Sequence, residues 1–244
     1  MRYARWAAMY TLILDGPGKN ALSSALMESI ITRLREAGGE PVLLTGAGDA
    51  FSAGLDLKEV AGLDRPGAER FLGTLERMAE ALFTYPAPMV ACVNGHAIAG
   101  GCVVELCADY RVLADSPKLR IGLNEVALGV QFPPTVLAVV HHRVPPRGLE
   151  RVVLEAALHD PQTALALGLV DEVAVDVQGT ARARLETLAR HPRDAYVATK
   201  RALRAGVLDL SEAVRSRFRE ELVPSWITPG VKERVTAVLA PRRS

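Results

Sequence analysis

Apolar residues in the first half of the chain follow two rhythms. Short runs bounded by glycine, proline or aspartate alternate with longer stretches in which apolar positions recur every three or four residues. The runs at 10–14, 41–45, 89–93 and 110–114 read as buried strands. Between the first two, Leu26, Ile30, Ile31 and Leu34 share one helical face; Ser23 or Ser24 can cap the helix and Gly38-Gly39 ends it. A second helix from about 66 to 83 carries Phe71, Leu75, Met78 and Leu82 on one face and stops before Pro86 and Pro88. The stretch 46–53 reads as a loop leading into a short helix near Leu55. Residues 100–108 are apolar almost all round, the pattern of a buried helix. Strands alternating with helices predict an α/β fold.

From Pro133 onward the rhythm becomes mainly helical, with Pro145-Pro146, Asp160-Pro161, His191-Pro192 and Pro229 marking successive starts or breaks. Only 169–173 resembles a strand. Arginines recur between 192 and 239 along amphipathic helices, whose charged faces fit either solvent or a second subunit. The chain has no internal repeat and no low-complexity tract.

Composition narrows the function. A hydrophobic content of 49% over 244 residues supports a sizeable core and excludes disorder. Twenty-nine basic against 28 acidic residues leave a formal charge of +1, so no global field gathers nucleic acid or anionic lipid. Cys92, Cys102 and Cys107 stand singly in apolar surroundings, without the pairing of a secreted disulfide framework. The amino terminus lacks a long apolar signal core, and nowhere do about 18 uninterrupted apolar residues occur. A reducing, cytoplasmic compartment is the expectation.

Several familiar motifs fail on inspection. Gly46-Ala47-Gly48 follows a strand, but Phe51 stands where a dinucleotide fingerprint needs a small residue. Gly16-Pro17-Gly18-Lys19 is too short for a phosphate loop and lacks the following Ser or Thr, so it reads as a turn. Ser52 follows Phe51 and Ala50, without the glycine of a nucleophile elbow. The five histidines show no metal spacing; His141 and His142 are adjacent and diverge on a helix.

Two small-residue junctions remain: Phe51-Ser52-Ala53-Gly54-Leu55-Asp56-Leu57, and Asn94-Gly95-His96-Ala97-Ile98-Ala99-Gly100-Gly101. Each runs from an extended segment into a helix start, where backbone N–H groups are free and glycine admits a ligand closely. Two such junctions facing one point would hold a developing oxyanion. Tight helix–strand packing explains either junction alone.

Together with their surroundings these residues resemble the enoyl-CoA hydratase/isomerase, or crotonase, family over nearly the whole length. The matching pieces are Gly18-Lys19-Asn20-Ala21-Leu22, Leu44-Thr45-Gly46 with 50–58, Asn94-Gly95 with Gly100-Gly101-Cys102, 107–111, Gly122-Leu123-Asn124-Glu125 with Gly129, and 164–172. The resemblance implies an α/β, crotonase-like spiral of ββα units over 1–190 holding an acyl-CoA site, and a helical carboxy-terminal trimerisation region over 191–244. It implies an oxyanion hole made by the N–H groups of Leu55 and Gly100. Ala53, Gly54, Leu55, Asp56, Leu57, Lys58, Gly100 and Asn124 would bind substrate, with Lys58 near a phosphate. It also implies a homotrimer or a dimer of trimers. No metal or redox cofactor is implied, coenzyme A entering only as part of the substrate.

The carboxylates choose among reactions. Hydration of an enoyl thioester asks for two, one to activate water and one to handle the neighbouring proton. The family's hydratases carry the first three residues after the oxyanion glycine, and here that residue is Val103. Glu105 lies two positions on, about 200° around a helix, and is expected to be a paired structural or interface group facing away. The second family carboxylate is present as Glu125. One carboxylate suits a double-bond shift, in which the same group takes a proton from one carbon and returns it to another. The resemblance tightens toward the mitochondrial-type delta3,delta2-enoyl-CoA isomerases across 51–57, 107–115 apart from Ala108, and 121–125. Ile121, Leu123, Val126, Leu128 and Val130 are expected to shield Glu125 and raise its pKa. The alternatives are a hydratase that recruits His96 or a water opposite Glu125, and a non-catalytic CoA- or RNA-binding member; near-neutral charge speaks against RNA.

Overall fold

The computed structural model describes residues 6–240. The chain moves by turns between two parallel sheets. β1 (Tyr10–Leu14) and β2 (Val42–Gly46) lie in the larger sheet and β3 (Ala50–Ser52) in the smaller. β4 (Met89–Val93) returns to the larger sheet and β5 (His96–Ile98) to the smaller, β6 (Tyr110–Ala114) and β7 (Ile121–Gly122) repeat the step, and β8 (Glu172–Ala174) closes the larger. The orders are β1-β2-β4-β6-β8 and β3-β5-β7, every pairing parallel. Two strands and then a helix make each turn, so the path is the expected spiral of ββα units.

Position in the sheet explains the strand sequences. β4, between β2 and β6, buries all five residues of Met-Val-Ala-Cys-Val, whereas the edge strand β1 alternates exposed and buried positions. The helix Ser24–Glu36 is capped by Ser23, whose hydroxyl accepts from Leu26 N at 3.2 Å, and its apolar stripe Leu26, Met27, Ile30, Ile31 and Leu34 is buried. Asp64 caps Arg65–Phe83 by accepting from Gly67 N at 2.8 Å. That helix buries Phe71, Leu72, Leu75, Met78, Leu82 and Phe83, each burial stabilising by about 1.5–3 kcal/mol.

Four expectations change. Residues 46–53, expected as a loop, contain β3, and β5 and β7 join it in a sheet that periodicity did not reveal. The short helix begins at Leu57, not near Leu55, because the Asp56 carboxylate caps it, accepting from Lys58 N at 2.9 Å. Leu55 instead bridges to Leu22. The buried helix is Gly100–Leu106, and Ala108 lies beyond it. Leu169 and Val170 are buried but outside β8. The preceding helix ends there at left-handed Gly168, and Leu169 N donates to Ala164 O at 2.9 Å, which takes its amide from any ladder.

The carboxy-terminal helices Val177–Ala189 and Arg193–Arg204 are followed by a π-helical turn, Phe218–Leu222, and by Pro229–Leu239. Leu222, Val223, Trp226, Val231 and Val235 join the same apolar core as the spiral. Lys200 and Arg204 do not present a solvated face: both turn inward to Asp109, at 2.7 Å each.

Candidate active site

The parallel pairing of β3 and β5, Ala50 with His96 and Ser52 with Ala97, sets the carboxyl ends of two short strands side by side. Both junctions begin there. A Cβ on Gly54 would lie 2.6 Å from Ile98 O, and one on Gly101 would lie 2.5 Å from Ser52 O, so backbone rests directly on backbone. Gly54 has φ 89, and Ala99, just before the buried helix, has φ 49 and ψ −119, a conformation that costs an L-residue free energy. Neither Leu55 N–H nor Gly100 N–H finds an acceptor among the described residues, while their neighbours do: Asp56 N donates to Leu22 O and Ala99 N to Gly122 O. The outcome is two free amides on two abutting junctions.

Two asparagines hold this geometry. Asn20 is buried with φ 59 and donates to Ala47 O and Ala50 O at 2.9 Å each. Asn94 accepts from Gly46 N at 3.0 Å and donates to Gly46 O and Gly48 O. Their amide groups satisfy loop backbone that three-residue strands leave unpaired.

β7 pairs Gly122 with Ile98, which carries Asn124 and Glu125 to the same end of the smaller sheet. Glu125 opens a one-turn helix closed by left-handed Gly129, where Gly129 N donates to Val126 O and Val130 N to Glu125 O. The Glu125 carboxyl is 7% exposed, and its Oε2 has no hydrogen-bond partner. Burial pushes its pKa up to about 8, with no neighbouring cation to pull it back. Glu125 shares one cavity with Leu55, Gly100 and Val103, closed by Leu75, Phe132, Val136 and Trp226. Its free volume is about 10 Å³, close to the least that holds one water.

Some expected residues fall elsewhere. Leu57 starts its helix half-buried, and Ala53 and Lys58 are exposed. Asp56 spends its carboxylate on the cap. Asn124 flanks Glu125 with a buried, unpartnered Oδ1. Of the expected shield, Ile121, Leu123 and Val130 are buried, but Val126 is 45% exposed and Leu128 only half-buried. The shield comes instead from Phe132, Val136 and Trp226, which the sequence reading missed. Trp226 lies about a hundred residues from Glu125, and no local pattern links them.

Glu105 faces away from the cavity but is not paired. It is completely buried, and among the described residues it makes no ion pair, accepts only from the Cys102 thiol at 3.4 Å, and has an unpartnered Oε2. Burial raises its pKa to about 8. His96 lies in β5, where its Nδ1 accepts from Arg120 N at 3.0 Å, and it does not line the cavity. Among the described residues no three His, Cys, Asp or Glu side chains stand together as metal ligands, and no helix is long and apolar enough to cross a membrane.

Comparison with known proteins follows the same lines. Residues 6–229 match the family model described as enoyl-CoA hydratase/isomerase. The chain is 32% identical over 183 residues to the mouse mitochondrial enoyl-CoA delta isomerase 1, a match covering 73% of this chain but only 63% of the mouse protein. It is 33% identical over 201 residues to a putative enoyl-CoA hydratase of Thermus thermophilus, covering 78% of each. Among solved structures, the human mitochondrial delta3-delta2-enoyl-CoA isomerase superposes with a TM-score of 0.89 at 26% identity, over 98% of this chain and 97% of that one.

Proposed function

The chain belongs to the enoyl-CoA hydratase/isomerase family, and from that premise we propose that it moves the double bond of a 3-enoyl-CoA thioester to the trans-2 position. The thioester oxygen sits between Leu55 N–H and Gly100 N–H. Glu125 removes a proton from carbon 2, the electron pair delocalises onto that oxygen and, through the 3,4 double bond, onto carbon 4, and the two amides stabilise the dienolate. The same carboxyl then returns the proton to carbon 4, leaving the 2,3 double bond and regenerating carboxylate. No water is consumed, and apart from Glu125 the side chains around the cavity are apolar.

The observation that carries this reading is the cavity's single carboxyl. Val103, 1% exposed, occupies the wall where a hydratase needs its other acid, and Glu105 points elsewhere. The Thermus relative's name favours hydration, yet His96 is engaged outside the cavity. Incubation with 3-hexenoyl-CoA should generate 2-enoyl absorbance, whereas crotonyl-CoA should keep its own. Glu125→Gln should lower isomerisation by at least about a thousandfold with CoA-thioester affinity retained; turnover surviving that change would remove Glu125 from the chemistry. Lys58, exposed in the first turn of the Leu57–Ala61 helix, is the proposed phosphate contact. A trimer or pair of trimers belongs to the same proposal, and a monomer in light scattering would refute that part.

A further inference from the structure

A second, larger cavity lies between the helices Pro134–Arg143 and Arg193–Arg204 and shares no lining residue with the first. We propose that it binds a small monocarboxylate with an apolar body. Its volume, about 540 Å³, falls in the range of small-molecule sites.

The argument begins with charge. Asp109 is saturated: its carboxylate accepts from Lys200 Nζ and Arg204 Nη2 at 2.7 Å each, from Tyr196 OH at 2.9 Å and from Met89 N at 2.8 Å. Arg143 directs its hydrogen bonds to carbonyls, Leu106 O at 2.9 Å and Ala108 O at 2.7 Å, and meets no carboxylate within ion-pair distance among the described residues. Three cations therefore face one carboxylate, a formal surplus of two positive charges. Carbonyls accept the N–H groups without cancelling that surplus. The field is visible in the groups themselves. Burial, assisted by Arg204 and Arg143, holds Lys200 down to about 8, and burial beside Arg111 and Arg204 holds Arg143 down to about 10.

The rest of the wall is largely apolar, with polar edges only at Thr199 and at the His142, His191 and Tyr196 rings. Ala195 and Leu203 line it, Leu203 being 70% exposed, and the His191 and Tyr196 rings stack 15° from parallel. An anion bound here places its charge near Arg143 and covers Leu203 with its hydrocarbon. A bare inorganic anion would leave that surface wet, and a neutral alcohol would leave the charge unmet.

Titration calorimetry with octanoate, 1-octanol and inorganic phosphate tests this on the intact protein. Octanoate should bind at least about tenfold more tightly than either other probe. Leu203→Glu, a change on the exposed rim, should weaken octanoate about tenfold or more, because the new carboxylate sets a negative charge against the hydrocarbon and offsets the cavity's cationic surplus. Leu203→Gln, of equal length and uncharged, should retain binding, and both variants should turn over 3-hexenoyl-CoA as the parent does. Absence of octanoate binding, octanol or phosphate binding as tightly, or affinity unchanged in Leu203→Glu would each overturn the proposal. So would octanoate that binds only by competing with acyl-CoA.

Discussion

A buried carboxyl group keeps its proton to a higher pH than one in water, even beside Arg111 as Glu105 is, and the consequences of Glu125 and Glu105 differ. Glu125 must be ionised to take a proton, so kcat/KM for isomerisation should rise with pH and level off above about 8, where its pKa lies. A pH profile flat from 6 to 9 would contradict that assignment. Glu105 acts on stability instead. Its pKa rises from 4.5 in the unfolded chain to about 8 in the fold, so between those values the folded state holds a proton the unfolded state releases. The folded state is then the more protonated one, and stability should fall as pH rises from about 5 to 8. Glu105→Gln should flatten that decline, as urea denaturation at both ends of the range would reveal. The sequence disclosed Glu125 through its flanking pattern and Val103 through its spacing. It also held a clue to Glu105 that went unused, since a helix apolar all round has no solvent face to offer a glutamate.

Elements divide by length in the same way. β1, β2, β4 and β6 are five residues each and legible as apolar runs. β3, β5 and β7 have two or three residues, too few for periodicity, and depend on asparagine bonds such as Asn20 to Ala50, thirty positions apart. Local pattern cannot report such distant pairings. The contact between junctions gives two opposite expectations. Gly101→Ala would force a methyl to 2.5 Å from Ser52 O, which should cost about 1–3 kcal/mol in thermal denaturation and spread the amides, lowering turnover. Ala99→Gly releases a positive φ of 49 and should stabilise the fold by up to about 1 kcal/mol; a loss of stability would show that Ala99 is not strained.

At the scale of the molecule, the carboxy-terminal helices are part of the site. Trp226 is 2% exposed, donates its indole N–H to Gln131 O at 3.0 Å and closes the cavity around Glu125. Trp226→Ala should cost about 3–5 kcal/mol and lower turnover by admitting water; denaturation monitored together with activity would separate the two effects. The free amides of Leu55 and Gly100 have a wider bearing, because they are main chain and every replacement there except proline leaves the N–H in place. Side-chain exchange acts most directly on the proton-handling half of the apparatus. On the proposed mechanism the fold is a fixed electrode with interchangeable acids, and a single codon would separate one chemistry from another. Val103→Glu should add hydration of crotonyl-CoA at some expense of stability, without any rebuilding of the chain around it.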